Sequence, residues 1–268
     1  MAPASGGVVD VSGGGVHTCA LKAGGKVVCW GDDFFGETIA PGGAFRSVSA
    51  GFFHTCGVRP NGRVACWGDD GSGRASPPIR ARFRSVSAGF SHTCGVKKSG
   101  TVTCWGSNED GESSPPGGEF RSVSAGSFFT CGVKTGGRVK CWGDDAGGKT
   151  SPPTTFFRSV SAGAGHACGV KTSRKLDCWG SDAVGQSSPP GGSFTSVDTG
   201  QGQSCGVEAN GKVACWGEDF SGEASPPRGR FSSVSAGAVH TCGVRTNGKV
   251  ACWGSDGQGQ SDVPPGLE

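Results

Sequence analysis

Short apolar runs alternate with clusters of Gly, Asn, Asp and Pro along the whole chain. Between two such clusters the apolar residues recur at every second position, which is typical of half-buried strands. One stretch predicts strands at Phe45 to Ala50, His54 to Arg59, Arg63 to Trp67 and, weakly, Arg74 to Ser76. The segment Pro60-Asn61-Gly62 predicts a three-residue hairpin loop, with Gly where the chain needs a positive φ.

The strand pattern is a tandem repeat. Each unit contains a Trp-Gly pair directly preceded by Cys, with a second Cys ten residues earlier. The seven Trp residues are Trp30, Trp67, Trp105, Trp142, Trp179, Trp216 and Trp253. The pattern predicts an all-β fold, a seven-bladed β-propeller with four antiparallel strands per blade. We expect one domain over residues 1–268, with repeats at about 8–44, 45–82, 83–119, 120–156, 157–193, 194–230 and 231–266.

The composition agrees with strands and argues against helices. Gly accounts for 52 of 268 residues, whereas Leu occurs three times, Ile twice and Tyr never. Helices draw on Leu, Ala, Met, Glu and Lys, and the apolar residues here are mainly Val and Phe, which favour strands. The net charge of +3 is too small to indicate disorder. No apolar run is long enough for a membrane-spanning helix, and no signal peptide is visible.

The repeat resembles that of a known superfamily. The stretch Val48-Ser-Ala-Gly-Phe-Phe-His-Thr-Cys-Gly-Val58, followed by Trp67-Gly, is similar to the RCC1 (regulator of chromosome condensation) repeat. The motif recurs in six repeats, with Phe129 and Gln203 in place of His in two of them. The resemblance implies the propeller but no single function, because the superfamily includes an exchange factor, a photoreceptor, a β-lactamase inhibitor and receptor domains. Short, Cys-paired repeats resemble CRINKLY4-like receptor ectodomains and the secreted inhibitor.

The cysteines are expected to form a disulfide within each hairpin. A three-residue loop places Val58 opposite Val64, and Cys56 opposite Cys66. Directly opposed Cα atoms lie about 4.5 Å apart, within the disulfide range of roughly 4.4–6.8 Å. The predicted pairs are Cys19–Cys29, Cys56–Cys66, Cys94–Cys104, Cys131–Cys141, Cys168–Cys178, Cys205–Cys215 and Cys242–Cys252. Buried free thiols are the alternative. Fourteen cysteines in register favour an oxidising compartment, so we expect an extracellular protein.

Two sets of repeated polar residues are candidates for metal ligands, but we expect structural roles. His17, His54, His92, His166 and His240 occupy one repeat position. A seven-fold ring separates them too widely to share a metal, so we expect hydrogen bonding at the strand entry. The Asp or Asn after Trp-Gly-x is expected to bond its own backbone, and a cation site is the alternative. These residues are Asp33, Asp70, Asn108, Asp145, Asp182, Asp219 and Asp256. We predict no metal and no cofactor.

The loops are predicted to divide between two faces of opposite charge. In an up-and-down blade the first and third loops share one face, and the second and fourth share the other. The third loops are acidic, for example at Asp69-Asp70, and the second loops are basic, for example at Arg59/Arg63. Only Arg74 and Lys149 oppose the acidic set. Such faces steer partners without a large net charge.

Phenylalanines at positions that vary between repeats are the candidate partner-binding residues. They are Phe34, Phe35, Phe52, Phe53, Phe90, Phe128, Phe129 and Phe220, on the first and third loops. Exposed aromatic clusters with a polar rim mark interfaces. The alternative is that half of them fold back between blades.

These features predict a non-enzymatic extracellular binding module, because no nucleophile–base pair or phosphate-binding loop is visible and so no catalytic residue is assigned. We expect a monomer that engages a protein or peptide through the Phe-bearing acidic face. We do not expect nucleic-acid binding, since no aromatic residue interleaves with the basic loops. One alternative is an intracellular RCC1-like regulator, acting in guanine-nucleotide exchange or on chromatin through the basic face. Another is a designed or amplified scaffold without a natural ligand.

Overall fold

Seven three-stranded antiparallel sheets surround a central axis. The computed structural model describes residues 6–268, so the first five residues of the predicted domain lie outside the described residues. The first strand of each sheet contacts the first strands of its neighbours, and that of blade 1 contacts that of blade 7. The all-β seven-bladed propeller predicted from the repeats is therefore confirmed.

Each blade has an inner, a middle and an outer strand. The inner strands are Val8–Gly13, Ser47–Ala50, Phe83–Ala88, Phe120–Ala125, Phe157–Ala162, Phe194–Thr199 and Phe231–Ala236. The middle strands are His17–Lys22, His54–Val58, His92–Lys97, Phe129–Lys134, His166–Lys171, Gln203–Glu208 and His240–Arg245. The outer strands are Val27–Gly31, Val64–Gly68, Val102–Gly106, Val139–Gly143, Leu176–Gly180, Val213–Gly217 and Val250–Gly254. Within residues 6–268, one 3-10 turn is present, at Ala146–Gly148.

The weak fourth strand predicted for each repeat is a turn followed by irregular chain. Arg74 and Ala75 lie in the turn, and each sheet of the described chain ends at its third strand. The N–H of Ala75 donates to the carboxylate of Asp70 at 2.8 Å and not to a neighbouring strand. Local bonds from Asp side chains compete with strand ladders, and the following Pro77-Pro78 offers no N–H donor.

The core of blades 2 to 7 is a Phe ring packed against the Trp of the same blade. Phe45 is buried, and its ring centroid lies 5.7 Å from that of Trp67. A Cβ on Gly57, across the sheet, would meet the Phe45 ring at 2.5 Å, so this position requires Gly. Blade 1 has the smaller Val8 in place of Phe, and there the Gly is replaced by Ala20. The two changes compensate each other in volume.

The middle and outer strands form the predicted hairpin. Cys56 pairs with Cys66 and Val58 with Val64, and the N–H of Arg59 donates to the carbonyl of Arg63 at 2.8 Å. Each hairpin contains the predicted disulfide, with Cα atoms 4.0 or 4.1 Å apart, and the described residues include no free cysteine. The fifth hairpin loop has Arg174 where the other repeats have Gly, and its φ of 65° is a left-handed conformation that strains a residue with a side chain.

The inner strands are joined by a ring of hydrogen bonds around the axis. The hydroxyl of Ser12 accepts the N–H of Ala50 in the next blade at 2.9 Å, and the same bond links the following blades. Blade 6 has Asp198 at this position, and its carboxylate accepts the N–H of Ala236 at 2.9 Å. The ring closes where Ser235 accepts the N–H of Gly13 at 3.0 Å.

The last loop of the chain completes the first blade. In blade 2 the indole N–H of Trp67 donates to the carbonyl of Glu37, a third-loop residue of the preceding blade, at 2.8 Å. In blade 1 the indole N–H of Trp30 donates to the carbonyl of Gln260, from the third loop of blade 7, at 3.0 Å. Blade 7 therefore contacts blade 1 through the same hydrogen bond that joins the other blades.

Candidate functional site

A cavity of about 570 Å³ opens at the axis, on the face that bears the first and third loops. Its floor is the ring of Gly and Ala residues that follows the inner strands. A Cβ on Gly51 would lie 2.5 Å from the carbonyl oxygen of Gly89 in the next blade, so close approach of the blades requires Gly here. The volume falls in the range of ligand sites, roughly 300–1,000 Å³. The predicted placement of first and third loops on one face agrees with this shared lining.

One wall of the cavity consists of large aromatic side chains and the other of small residues. The variable first loops contribute Phe52, Phe90 and Phe128 to one side. The equivalent loops of blades 5 to 7 contribute Ala164, Gly165, Gln201 and Ala238 to the other. The cavity is therefore asymmetric although the scaffold around it is nearly seven-fold.

Six phenylalanines form one continuous cluster that runs from the rim of the face into this cavity. We call this the Phe cluster, and its members are Phe34, Phe35, Phe53, Phe52, Phe90 and Phe128. Successive ring centroids lie 4.8, 5.8, 4.6, 4.7 and 5.4 Å apart in that order. These are the distances of interacting aromatic pairs. Six of the eight predicted phenylalanines, all from blades 1 to 4, are thus brought together as one surface.

Exposure within the Phe cluster decreases towards its middle. Phe34 is 82% exposed and Phe128 is 40% exposed, whereas Phe52, Phe53 and Phe90 are half-buried. The half-buried rings support the outer ones, so the cluster is a packed apolar surface and not a set of separate side chains. Large apolar surface of this kind marks interaction sites on soluble proteins.

Two of the predicted site residues do not belong to the Phe cluster. Phe129 is fully buried in a middle strand at the position of the repeated His, so its inclusion as a partner-binding residue is wrong. Its hydrophobic side chain fits there because Ala167, in the next blade, replaces the Thr that a His would bond. Phe220 is 86% exposed, but it lies on the third loop of blade 6, away from the other rings.

Two buried cations lie beneath the Phe cluster. The guanidinium of Arg74 lies 5.7 Å from the Phe53 ring centroid and pairs with the Asp69 carboxylate at 3.3 Å. The ammonium of Lys149 lies 6.0 Å from the Phe128 ring centroid and pairs with Asp144 at 2.6 Å, and this bond lowers the pKa of Asp144. Sequence reasoning treated both cations only as opposing charges. One sequence feature distinguishes Arg74 and Lys149: the other repeats have Glu or Gln at this position.

The third loops place carboxylates around the face. In every blade the Asp or Asn after Trp-Gly-x accepts a backbone N–H five residues later, at 2.7–2.9 Å. The expected turn-forming role is thereby confirmed. Blades 1 to 4 each carry an acidic pair, and these are Asp32-Asp33, Asp69-Asp70, Glu109-Asp110 and Asp144-Asp145. Blades 5 to 7 carry Asp182, Glu218-Asp219 and Asp256. The greater acidity therefore lies on the same side as the Phe cluster.

The opposite face is basic, but several of its cations are committed to the fold. The Arg59 guanidinium lies 4.6 Å from the centroid of the buried Phe45 ring and donates to the carbonyl of Gly42 at 2.9 Å. Arg245 packs in the same way, 4.9 Å from the Phe231 ring. These cations cover the outside of the core, which reduces the charge available to a partner.

The repeated histidines join neighbouring blades. The Nε2 of His54 lies 2.7 Å from the hydroxyl of Thr93, which itself donates to the carbonyl of Arg74 at 2.9 Å. The hydroxyl proton is therefore used, so the His must donate from Nε2. Burial lowers the pKa of His54 to about 3. The structural role expected for these residues is confirmed, although the partner belongs to the next blade and not to the strand entry.

Most of the chain matches one family of known repeats. The regulator of chromosome condensation (RCC1) repeat matches residues 8–37, 45–74, 83–112, 120–148, 157–186 and 231–260. No curated protein sequence matches the chain at a significant level. Within residues 6–268 there is no helix able to span a membrane.

Solved structures with the same architecture include two plant receptor ectodomains. The entire ectodomain of the receptor kinase CR4 from Physcomitrella patens is 29% identical, with a TM-score of 0.80, over 93% of this chain and 74% of that one. The CRINKLY ectodomain of the receptor kinase ACR4 from Arabidopsis thaliana is 28% identical, with a TM-score of 0.77, over 93% and 98%. Yeast RCC1 (Prp20), at 16% identity and a TM-score of 0.57 over 97% and 73%, shares the fold. Six matched repeats that cover most of its length establish that the chain belongs to the RCC1 repeat family.

Proposed function

We propose that this chain is a non-enzymatic, extracellular binding module that engages a protein or peptide through the Phe cluster on its acidic face. The observation that carries the proposal is the continuous path of six aromatic rings from the exposed rim into the axial cavity. A few residues near the centre of an interface, often aromatic, provide most of the binding energy in many complexes.

The extracellular location is supported by two independent observations. Each blade contains a disulfide, and disulfides in this number persist in oxidising compartments. Similar structures include the ectodomains of two receptor kinases. Alkylating protein from its native source, denatured without reductant, tests this location. We expect no alkylated thiols, and fourteen would overturn it.

A binding role suits the lining of the cavity better than catalysis does. In the described chain the lining is mainly Gly, Ala and Phe, and its charged residues are Asp144 and Lys149, which pair with each other. Their charges neutralise one another, so neither is placed as a free acid or base for chemistry.

The test is selection of a displayed random peptide library against the immobilised monomer. The variant F52A/F90A replaces two cluster residues by Ala, the residue that Ala164 and Ala238 provide at this position in other blades. We expect enriched peptides to bind the variant at least about tenfold more weakly, because interface aromatics contribute over about 1 kcal/mol each. The control F220A removes an equally exposed ring outside the cluster and should leave affinity unchanged.

An intracellular regulator that binds through the basic face would lose affinity in the opposite set of variants. Loss of binding in R59A/K97A, with F52A/F90A unaffected, would favour a regulator that uses the basic face. Peptides that bind all variants equally would overturn the proposal for the Phe cluster.

A further inference from the structure

We infer that the partner segment is a cationic peptide with a bulky apolar anchor, which inserts into the axial cavity while its basic residues contact the third loops of blades 1 to 4. The inference rests on the proposed function and adds the chemistry of the partner. It is carried by the coincidence of the Phe cluster and the stronger negative charge on one half of the face.

The shape of the cavity favours one anchor inserted off-centre. Phe52, Phe90 and Phe128 form a wall on one side, and the facing loops end in residues no larger than Gln201. A bulky side chain can therefore lie against aromatic rings and still have space on its other side. The volume of about 570 Å³ exceeds that of a single side chain, so the adjoining backbone can enter as well.

The charge around this half of the face favours a basic segment. The four acidic pairs in the third loops of blades 1 to 4 supply eight carboxylates, of which Asp33, Asp70, Glu109, Asp110 and Asp145 are exposed. Glu37 and Glu112 of the same loops are buried. The two cations of this half are buried beneath the rings and already paired. The charge presented to solvent is therefore negative, which attracts Lys and Arg and repels phosphate groups. For this reason a nucleic acid or an anionic membrane does not fit the same surface.

The repeats provide substitutions that change the charge and preserve the loops. Asn108 holds its loop through the same backbone bond as Asp70, with Ser113 donating to its side-chain oxygen at 2.9 Å. The variant D33N/D70N/D145N therefore removes three charges beside the Phe cluster and keeps the Oδ1 that accepts the backbone N–H. In the Asn108 loop this same oxygen also accepts the hydroxyl of Ser114, at 3.1 Å, which in blade 2 bonds the second carboxylate oxygen of Asp70. The matched control D182N/D219N/D256N removes three charges from blades 5 to 7, where the cluster is absent.

The experiment measures the affinities of synthetic copies of the peptides selected from the random library. We expect a net positive charge and at least one large apolar residue in those that depend on Phe52 and Phe90. We expect D33N/D70N/D145N to weaken them about tenfold, since three exposed charge pairs together contribute on the order of a factor of ten. The control should change affinity less than twofold, and high salt should reduce the difference.

The outcomes separate this inference from the proposed function. Peptides that depend on the Phe cluster but are neutral or acidic would overturn the inference and leave the binding function intact. Equal weakening by both charge variants would also overturn it, because the charge would then act at long range and not through blades 1 to 4. An absence of peptides that depend on the Phe cluster would overturn the proposed function and the inference together.

Discussion

Replacing Asp10 by Ser is expected to stabilise the protein at neutral and alkaline pH but not at acidic pH. Asp10 lies on the inner strand of blade 1, where the other six repeats have Ser, for example Ser47 and Ser122. Burial, together with the charge of Asp198, raises the pKa of Asp10 to about 6. The raised pKa means that the ionised side chain is less stable in the folded protein than in the unfolded chain.

The size and direction of the effect follow from proton linkage. The unfolded chain releases the Asp10 proton near its ordinary pKa of about 3.9, whereas the folded protein retains it to about pH 6. Between these values the folded state binds more protons, so stability falls as pH rises through this window. Two pKa units correspond to about 3 kcal/mol at pH 8. The bond that Asp10 accepts from the N–H of Val11, at 3.0 Å, offsets about 1 kcal/mol of the gain.

The assay is guanidinium unfolding of the wild type and D10S at pH 8 and pH 4, with the disulfides intact. We expect D10S to be more stable by about 2 kcal/mol at pH 8 and equal to or slightly below the wild type at pH 4. The matched variant S122D places a carboxylate at the same position of blade 4 and should lose stability mainly at pH 8. An equal gain for D10S at both pH values would refute ionisation as the cause.

Two further predictions concern the other repeat positions that the structure explains. His54→Phe removes the hydrogen bond to Thr93 and should cost about 1–3 kcal/mol of unfolding free energy. Adding Thr93→Ala reproduces the apolar pair Phe129/Ala167. In a double-mutant cycle, the double variant should therefore lose about 1 kcal/mol less unfolding free energy than the sum of the two single variants. Strict additivity of the two losses would contradict the inter-blade bond. Arg174→Gly should raise the free energy of unfolding by about 0.5–1 kcal/mol, because Gly adopts the left-handed φ of this position without strain. Denaturant unfolding measures the gain, and the control Arg174→Ala should show none.

The candidate site was only partly predictable from the sequence. Variation between repeats identified Phe52, Phe90 and Phe128, because loop positions without a role in the scaffold are free to differ. The same reasoning included Phe129, which differs from its repeat equivalents for a packing reason, since Ala167 changes with it. A residue can differ from its equivalents in the other repeats because it binds a partner or because it packs against a changed residue in the next blade. Only the position of its side chain distinguishes the two cases.

The sequence by itself determined the local structure, the number of blades, the disulfide pairing and the division of loops between two faces. These depend on contacts within one hairpin or one repeat, such as Cys56 opposite Cys66, and a two-residue alternation is enough to specify them. The tertiary structure decided the closure of the ring through Gln260 and the joining of separate phenylalanines into one cluster. These depend on contacts between blades, such as those that join residues 39 or 230 positions apart in the chain, and no local pattern encodes those distances.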